Sequence, residues 1–394
     1  MREPLFYPLA SSTWDAAEEA ALQGVIRSGR FTMGPKVRAF EEAFAAHVGA
    51  DHAIMTSSGS AANLLALAGA MYHPDFRWQK GDEIIVPAVS WSTTYFPVSQ
   101  LGLRLRFVDV DGATLNIDPD LAAQAITRRT RAVLAVNLLG NPAALSRLKA
   151  VCDQAGILLL EDNCESLGAT LNGQQAGTFG LFGTYSSFFS HHICTMEGGM
   201  VVTNDRRLAD TMLSLRAHGW TRDLPADTHL PVDPDPFVAQ FRFVLPGYNL
   251  RPLEMEGALG LPQLEKLPDL ISARRANGAI FQRDFGGLDD LDIQHETGES
   301  SWFGFAMVLK GRLAGRRREL VAALAEAEIE CRPIVAGNFL NNPVIAHLDH
   351  DVASGMAAAD RIDAEGLFTG NHHFDIAPQL ARLREVVQTV ADRY

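Results

Sequence analysis

Short, nearly continuous apolar runs alternate with segments of helical periodicity between residues 50 and 215. The apolar runs lie at 52–57, 82–88, 103–110, 132–139, 156–162, 184–189 and 199–205, and the helical patterns lie at 60–72, 93–101, 119–127, 143–154 and 206–217. Strands without a polar face are typical of a sheet that helices cover on both sides. The pattern therefore predicts an α/β fold with a mostly parallel sheet of seven strands flanked by helices.

The pattern changes in the last third of the chain. A long helix is predicted at 269–285, strands at 302–310 and 329–335, and further helices at 315–327 and 378–391. This order of elements is typical of a smaller α+β domain. We predict a large domain at 1–265 and a small C-terminal domain at 266–394, with the N-terminal segment as a candidate to pack on the small domain.

Composition and charge narrow the class of protein. The chain has 394 residues, 47% of them hydrophobic, and a formal charge of −13, which disfavours nucleic acid as a partner. The apolar runs are too short to span a membrane and the N-terminal stretch lacks the pattern of an export signal, so a cytoplasmic location is expected. The four cysteines are scattered without a C-x-x-C pair, so neither a metal centre nor a disulfide framework is expected.

A possible anion site follows the first predicted strand. In TSSGSAANL (56–64), the chain leaves a strand and opens a helix. The N–H groups of Ser58, Gly59 and Ser60 could hold an anion at the positive end of that helix. A serine–glycine pair at this place is more often only a helix cap, so the motif alone is a weak signal.

Carboxylates and an aromatic residue follow two other predicted strands. ILLLEDNCES ends its strand at Asp162, with Glu165 three residues further on. A carboxylate there could pair with a protonated ring nitrogen, and the alternative is a solvated strand end. Trp91, in VPAVSWSTTYFP, could stack on a planar cofactor, although a tryptophan more often fills a core.

The stretch SSFFSHHICTMEGG places Ser186, His191 and His192 before a glycine pair. A lone histidine is more often structural than catalytic, and no third ligand stands at a metal-binding spacing, so metal is disfavoured. We interpret His192 as structural. An anion cup, an aromatic residue, a strand-end aspartate and a residue shortly after a serine occur in this order in enzymes built around pyridoxal 5′-phosphate.

These motifs resemble the sugar aminotransferases and dehydratases (DegT/DnrJ/EryC1/StrS type) of the aspartate aminotransferase superfamily, over nearly the whole chain. That family ordinarily carries a lysine that bonds to the cofactor. Counted from Ser186 or from EGG, the lysine position is His191 here. Further stretches, AHGWTR, FVLPGYNLRPLEMEGALG, ETGESSWFGF and IECRPIVAGNF, resemble a histidine-bearing branch that deoxygenates GDP-linked sugars.

The resemblance implies a pyridoxal-phosphate-dependent transferase of fold type I and assigns roles by motif. Four residues would hold the cofactor phosphate: Ser58, Gly59, Ser60 and Ser186. Trp91 would stack on the ring, Asp162 would pair with the ring nitrogen, and Glu165 would lie near the ring hydroxyl. Asn249 would reach the cofactor phosphate of a neighbouring subunit, which implies a homodimer with shared active sites.

The resemblance also implies the reaction. Pyridoxal 5′-phosphate, or its amine form pyridoxamine 5′-phosphate, would be held noncovalently, because an imidazole cannot make the lasting bond that a lysine amine makes. His191, with an ordinary pKa of about 6.5, would be a base near pH 7, where a free lysine is protonated. The expected outcome is loss of the 3-hydroxyl from a GDP-linked 4-keto-6-deoxymannose, towards colitose-type sugars of O-antigens, with L-glutamate as amino donor.

Three alternatives stay open. A nucleotide-ketosugar aminotransferase that tolerates histidine would make an amino sugar and carry a reducible lysine link elsewhere in the chain. A catalytically silent regulator would bind the cofactor only. The presence of Asp162, Trp91 and the possible anion site at Ser58, Gly59 and Ser60 argues against a lost catalytic function. A pyridoxamine enzyme with an iron–sulfur cluster, acting on CDP-linked ketosugars, also has a histidine here, but these cysteines do not group as cluster ligands.

Four more side chains are candidates for substrate binding: His218, Arg222, Arg251 and Arg332. Arginine suits bidentate recognition of a diphosphate or of the carboxylates of glutamate. The alternative for each arginine is a salt bridge at the surface or between domains.

Overall fold

The computed structural model describes residues 5–394. Residues 1–4, which open the predicted large domain and the N-terminal stretch without an export pattern, lie outside the described residues. The helices are α1 Ala16–Ser28, α2 Pro35–Val48, α3 Gly59–Met71, α4 Ser92–Gln100, α5 Pro119–Gln124, α6 Leu145–Ala155, α7 Arg206–Arg216, α8 Pro236–Ala239, α9 Glu254–Phe285, α10 Arg317–Glu326, α11 Ala357–Glu365 and α12 Ala377–Ala391. The strands are β1 His52–Thr56, β2 Glu83–Pro87, β3 Arg104–Val108, β4 Thr130–Val136, β5 Leu158–Asp162, β6 Thr170–Leu171, β7 Gln174–Gln175, β8 Gly183–Ser186, β9 Gly199–Thr203, β10 Leu291–Ile293, β11 Gly304–Leu309, β12 Cys331–Arg332, β13 His350–Val352 and β14 Gly366–Gly370.

The large sheet has the strand order β1-β9-β8-β5-β4-β2-β3-β13. The neighbours from β8 to β13 pair in parallel, whereas β9 runs antiparallel to both β8 and β1. All seven predicted strands are present, and the mostly parallel α/β sheet is confirmed. The sheet has one strand more than predicted, because β13 pairs with β3. The three residues of β13 include a single apolar side chain, so the hydrophobic pattern does not distinguish them from a loop.

Helices cover both faces of this sheet, as the apolar strands indicate. Strand β2 is buried at every residue. Ile84 and Val86 pack with residues of α3, α4 and α7 on one face, and Ile85 packs with residues of α5 and α6 on the other. This alternation follows from the two-residue period of a strand. The layer arrangement leaves the edge at the carboxyl ends of the strands free for ligands.

A second, antiparallel sheet has the order β10-β11-β14-β12. Phe281 and Phe285 of α9 and Leu380 of α12 form its core. Tyr7 packs into the same core, and its backbone N–H donates to the carbonyl of Glu328 at 3.1 Å. Helix α9 runs unbroken through residue 265, so the division at 265/266 stays a prediction.

Helix α9 begins at Glu254, fifteen residues before the predicted start, although it contains Pro262 and Pro268. Prolines are poor interior residues of a helix, so the sequence pattern does not predict a helix over this segment. Its first half packs on α2 at Gly260, where an added Cβ would lie 2.5 Å from the ring of Phe40. Among helices of residues 5–394, none has the length and apolar character needed to cross a bilayer.

Several polar chain segments meet at the carboxyl edge of the large sheet. Strand β5 ends at Asp162, β8 ends at Ser186, and β1 leads into Ser58 and the start of α3. A Cβ added to Gly59 would lie 2.7 Å from the Cβ of Ser186. Glycine therefore allows the start of α3 to approach the end of β8 closely.

Candidate active site

A cavity of about 570 Å³ opens at this edge, and residues of the small sheet form its far wall. The volume lies in the range of small-molecule sites. Nine of the residues singled out from the sequence line the cavity: Ser58, Gly59, Ser60, Trp91, Asp162, Glu165, Ser186, His191 and Arg332. The fold therefore brings together residues that are up to 274 positions apart (58 to 332) in the chain.

The start of α3 lies at one end of the cavity, the end predicted to hold an anion. Ser58 is the N-cap residue, and its Oγ accepts a hydrogen bond from the backbone N–H of Ala61 at 3.1 Å. The first N–H groups of a helix have no acceptor within the helix, and they point together with the helix dipole into the cavity. The Ser58 hydroxyl therefore caps the helix, and the backbone around Gly59 and Ser60 remains the better donor set for a phosphate.

Asp162 is held in place by three donors. Its Oδ2 accepts hydrogen bonds from Asn63 Nδ2 at 2.9 Å and from Thr94 Oγ1 at 2.8 Å, and its Oδ1 accepts one from the backbone N–H of Cys164 at 3.2 Å. Asn63 is in turn held by Thr184, whose Oγ1 donates to Asn63 Oδ1 at 2.5 Å. The carboxylate is 5% exposed. Such a fixed, buried carboxylate can pair with a ligand cation in one orientation.

Glu165 lies close to Asp162 in the same loop after β5. Its Oε2 accepts a hydrogen bond from the backbone N–H of Leu139 at 2.9 Å. Burial raises the pKa of Glu165 to about 7, opposed by this hydrogen bond and assisted by the nearby Asp162 charge. Glu165 can therefore hold or release a proton near neutral pH.

His191 lies in the turn between β8 and β9. Its ring packs against Phe303, with a centroid separation of 5.2 Å. Burial, and secondly the charge of Arg274, lower the pKa of His191 to about 4, below the 6.5 expected from sequence. Its Nδ1 is buried without a hydrogen-bond partner among residues 5–394. The imidazole is therefore neutral at pH 7 and able to accept a proton.

The neighbouring histidine faces the protein interior. His192 is 1% exposed, and its Nε2 bonds to the carbonyl of Ser301 at 3.1 Å. Because a carbonyl only accepts, this contact requires the proton on Nε2. Burial lowers the pKa of His192 well below its usual value. His192 thus supports the scaffold while His191 faces the cavity.

Two further lining residues stand at the mouth of the cavity. Trp91 precedes α4 and is 58% exposed, so its indole is available for stacking and does not fill a core. Arg332 is the only arginine or lysine in the cavity lining formed by residues 5–394. Its guanidinium lies 3.4 Å from Glu330, a contact too exposed to hold it firmly.

The remaining candidates lie outside this lining. Asn249 pairs with Ala217 in an isolated bridge, and its Oδ1 accepts a hydrogen bond from Arg251 Nε at 3.1 Å. Arg222 stacks over the ring of Trp220 at 4.0 Å, and its Nη2 donates to the carbonyl of Gln240. His218 packs edge-on against Trp220. The structure groups these four residues with one another.

Sequence reasoning missed the residues that hold the site in place. Asn63 and Thr94 bind Asp162 from helices α3 and α4, and Phe303 supports His191 from the segment before β11. Asn63 could have been noticed, because it is a polar residue within the apolar run of α3. Nothing in the local pattern marks Thr94 or Phe303.

The lining fits pyridoxal 5′-phosphate, the cofactor that the resemblance implies. A helix N-terminus suits the phosphate, the buried carboxylate of Asp162 suits a protonated ring nitrogen, and the open indole of Trp91 suits the ring face. Nδ1 of His191 has no hydrogen-bond partner among residues 5–394, so a bound molecule could supply one. Within residues 5–394, no three His, Cys, Asp or Glu side chains are grouped to hold a metal ion.

Known proteins match this chain over almost its whole length. Residues 12–390 match the model of the DegT/DnrJ/EryC1/StrS aminotransferase family. The chain is 54% identical to the GDP-4-keto-6-deoxy-D-mannose 3-dehydratase of Yersinia pseudotuberculosis, over 97% of this chain and 98% of that protein.

Solved structures of such enzymes are similar to the fold described above. The E. coli GDP-4-keto-6-deoxy-D-mannose 3-dehydratase with bound hydrated pyridoxal phosphate has a TM-score of 0.95 and 51% identity, covering 98% of this chain and 100% of that one. A GDP-4-keto-6-deoxymannose 3-dehydratase with a trapped pyridoxal phosphate–glutamate geminal diamine has a TM-score of 0.94 and 52% identity, covering 96% and 99%. The expected fold is confirmed, and the chain belongs to the DegT/DnrJ/EryC1/StrS aminotransferase family.

Proposed function

We propose that the chain catalyses the pyridoxamine-phosphate-dependent 3-dehydration of GDP-4-keto-6-deoxy-D-mannose, with L-glutamate restoring the amine form of the cofactor. His191 carries the proposal: it stands where the family has a lysine, and it lines the same cavity as Asp162 and Trp91. The identity of 54% to a dehydratase of this substrate supports the choice of sugar nucleotide. The product would serve the synthesis of colitose-type dideoxy sugars.

The residues of the cavity would hold the cofactor without a covalent bond. When bound, the cofactor supplies an electron sink for the bonds around the reacting carbons of the sugar. The N-terminus of α3, with Ser186 beside it, would hold the phosphate. Asp162 would pair with the protonated ring nitrogen, Trp91 would stack on the ring, and Glu165 would be near the ring hydroxyl.

His191 acts as the base. A neutral imidazole accepts the proton released beside the cofactor, which a protonated lysine at the same place would not do. The lowered pKa of about 4 keeps His191 unprotonated over the whole neutral range. Since an imidazole makes no lasting bond to the cofactor and cannot displace the product as an amine does, departure of the 3-hydroxyl is favoured over formation of an amino sugar.

We further propose a homodimer in which His218, Arg222, Asn249 and Arg251 serve the cavity of the partner. Arg222 and Arg251 both lie over the indole of Trp220, at 4.0 and 5.5 Å from its centroid, and neither has a carboxylate partner within residues 5–394. Unpaired guanidinium groups next to an aromatic ring suit a nucleoside diphosphate. Arg332 would bind an anionic group of glutamate or of the sugar nucleotide.

Product mass tests the proposal. The purified protein is incubated with pyridoxal phosphate, L-glutamate and GDP-4-keto-6-deoxymannose, with a His191→Asn variant as the matched control. We expect a ketosugar that has lost its 3-hydroxyl from the parent and unchanged sugar from the variant. An amino sugar would instead indicate an aminotransferase, and unchanged sugar with the parent would indicate a silent cofactor-binding protein; either result contradicts the proposal.

A further inference from the structure

Arg274, on α9, is a buried cation without a carboxylate partner among residues 5–394. It is 4% exposed, and its Nη1 donates to the carbonyls of Trp302, Phe303 and Asn371 at 3.4, 3.3 and 3.0 Å. Its Nε is buried with no partner. Burial lowers the pKa of Arg274 to about 10, which still leaves it charged at neutral pH. An unpaired buried charge is costly, so a purely structural link between α9 and the small sheet explains it poorly.

Two of the three carbonyls that Arg274 binds, those of Trp302 and Phe303, belong to residues 300–303, which we call the strap. The ring of Phe303 in the strap packs against His191 at 5.2 Å and against His192 at 5.9 Å. The backbone N–H groups of Ser301 and Phe303 donate to the carbonyls of residues 140 and 139. Trp302 has a φ of 51°, a left-handed conformation that is strained for a bulky residue. The strap therefore needs contacts that hold it in this shape.

We propose that Arg274 is a positioning residue for His191: it fixes the strap whose Phe303 ring supports the imidazole, and its positive charge disfavours the protonated form of that imidazole. The inference rests on the proposed role of His191. Arg274 itself is not part of the cavity lining formed by residues 5–394. This role accounts for an arginine at a buried position where an apolar residue would carry a smaller desolvation penalty.

Other charged and titratable groups line the same cavity as His191 or stand next to it in the turn: Asp162, Glu165, Glu197, Arg332 and His192. After burial, Arg274 is the leading charge that lowers the pKa of His191, and it acts in the same direction on His192, His372 and His373. A neutral residue at 274 should therefore let His191 titrate closer to its ordinary value.

The experiment follows the titration of His191 by NMR in the cofactor-free full-length protein with labelled histidine, assigned with the His191→Asn variant. Arg274→Gln and Arg274→Met remove the charge, and either suffices if the other fails to fold. Arg274→Lys keeps the charge but loses the guanidinium fork. Arg382→Gln, at an exposed site on α12, removes one surface charge as the matched control.

We expect the midpoint of His191 to rise above about 4 in the Gln or Met variant but to stay below 6.5, because the imidazole remains buried. It should stay near the parent value in the Lys and Arg382 variants. In turnover, the acid limb of the kcat profile should move to higher pH in the neutral variants, while the rate at pH 8 changes less. An unchanged midpoint in a folded neutral variant, or an equal rise with Lys, would overturn the inference. Because the titration needs no substrate, its outcome is independent of which product the enzyme makes.

Discussion

At the scale of single residues, burial moves the pKa values of two cavity groups in opposite directions. It lowers the pKa of His191 to about 4 and raises that of Glu165 to about 7, since it disfavours the charged form of each. At neutral pH the imidazole of His191 is therefore unprotonated, and the carboxyl group of Glu165 can gain or lose a proton. In sites that do acid–base chemistry, the pKa values of two titratable groups are commonly shifted in different directions by their environments.

Glu165→Gln tests the environment of the glutamate in the cofactor-free protein. The folded-state pKa of about 7 lies above the ordinary 4.5, so the contribution of Glu165 to stability is present below pH 4.5 and is lost as the pH rises through 7. Gln keeps an acceptor for the Leu139 N–H but carries no charge. Relative to the parent, we expect the variant to gain roughly 1–3 kcal/mol more stability at pH 8 than at pH 5, as measured by denaturant unfolding. An equal difference at both pH values would contradict the assignment.

At the scale of elements, the sequence predicted the parts of the site that depend on local pattern. Strands β5 and β8 and helix α3 each combine an apolar run with polar residues at the end that faces the cavity, so Asp162, Ser186 and Gly59 could be placed before the fold was known. The donors to Asp162 could not be predicted from the sequence, because Asn63 and Thr94 are 99 and 68 residues away from it in the chain. Contacts at such separations depend on strand order, which the pattern of one segment does not contain.

The hydrophobic pattern did not predict several other elements, for identifiable reasons. The first half of α9 contains two prolines, and β13 has only three residues. Helices α1 and α2 precede the first strand and were not predicted, although α1 has a capping box at Asp15 and Glu18. Helix α2 buries Val37, Phe40 and Phe44 against α9 and its neighbours, and these spacings of three and four residues are a usable signal.

Gly59→Ala tests the close approach of α3 to β8. The added methyl group would lie 2.7 Å from the Cβ of Ser186 and 3.0 Å from the Sγ of Cys164, so the start of the helix must move away. We expect a loss of about 1–3 kcal/mol in stability and weaker retention of pyridoxal phosphate, read from denaturant unfolding and from absorbance after dialysis. Gly24→Ala in α1 is the control, because its Cβ would meet nothing within 4 Å. Retention equal to that of the parent would show that the approach is not needed.

At the scale of the whole molecule, the arrangement of charges supports a working dimer. The cavity lining of one chain contains a single arginine, Arg332, while Arg222 and Arg251 gather elsewhere around Trp220. Further guanidinium groups would pair with the charges of a sugar diphosphate better than one exposed arginine alone. A two-fold partner that contributes this second group would complete both sites at once.

Mixing two inactive variants tests the shared site. His191→Asn removes the proposed base from its own cavity, and an Arg222→Ala/Arg251→Ala double variant removes the residues proposed to serve the partner. If the sites are shared, a mixed dimer contains one intact site, and unfolding and refolding the two variants together in equal amounts should restore about a quarter of the parent activity. Each variant refolded alone is the control. No recovery in a mixture shown by mass to contain mixed dimers would contradict the shared arrangement.

We propose that, with a histidine at position 191, the cofactor has no covalent link to the protein. Intact-protein mass after loading with pyridoxal phosphate and reduction with borohydride tests it most directly, with the parent and His191→Lys compared side by side. We predict an unmodified mass for the parent and, for the lysine variant, a mass increase of one cofactor located at residue 191 by peptide mapping. A reduced cofactor attached to any lysine of the parent would contradict the account.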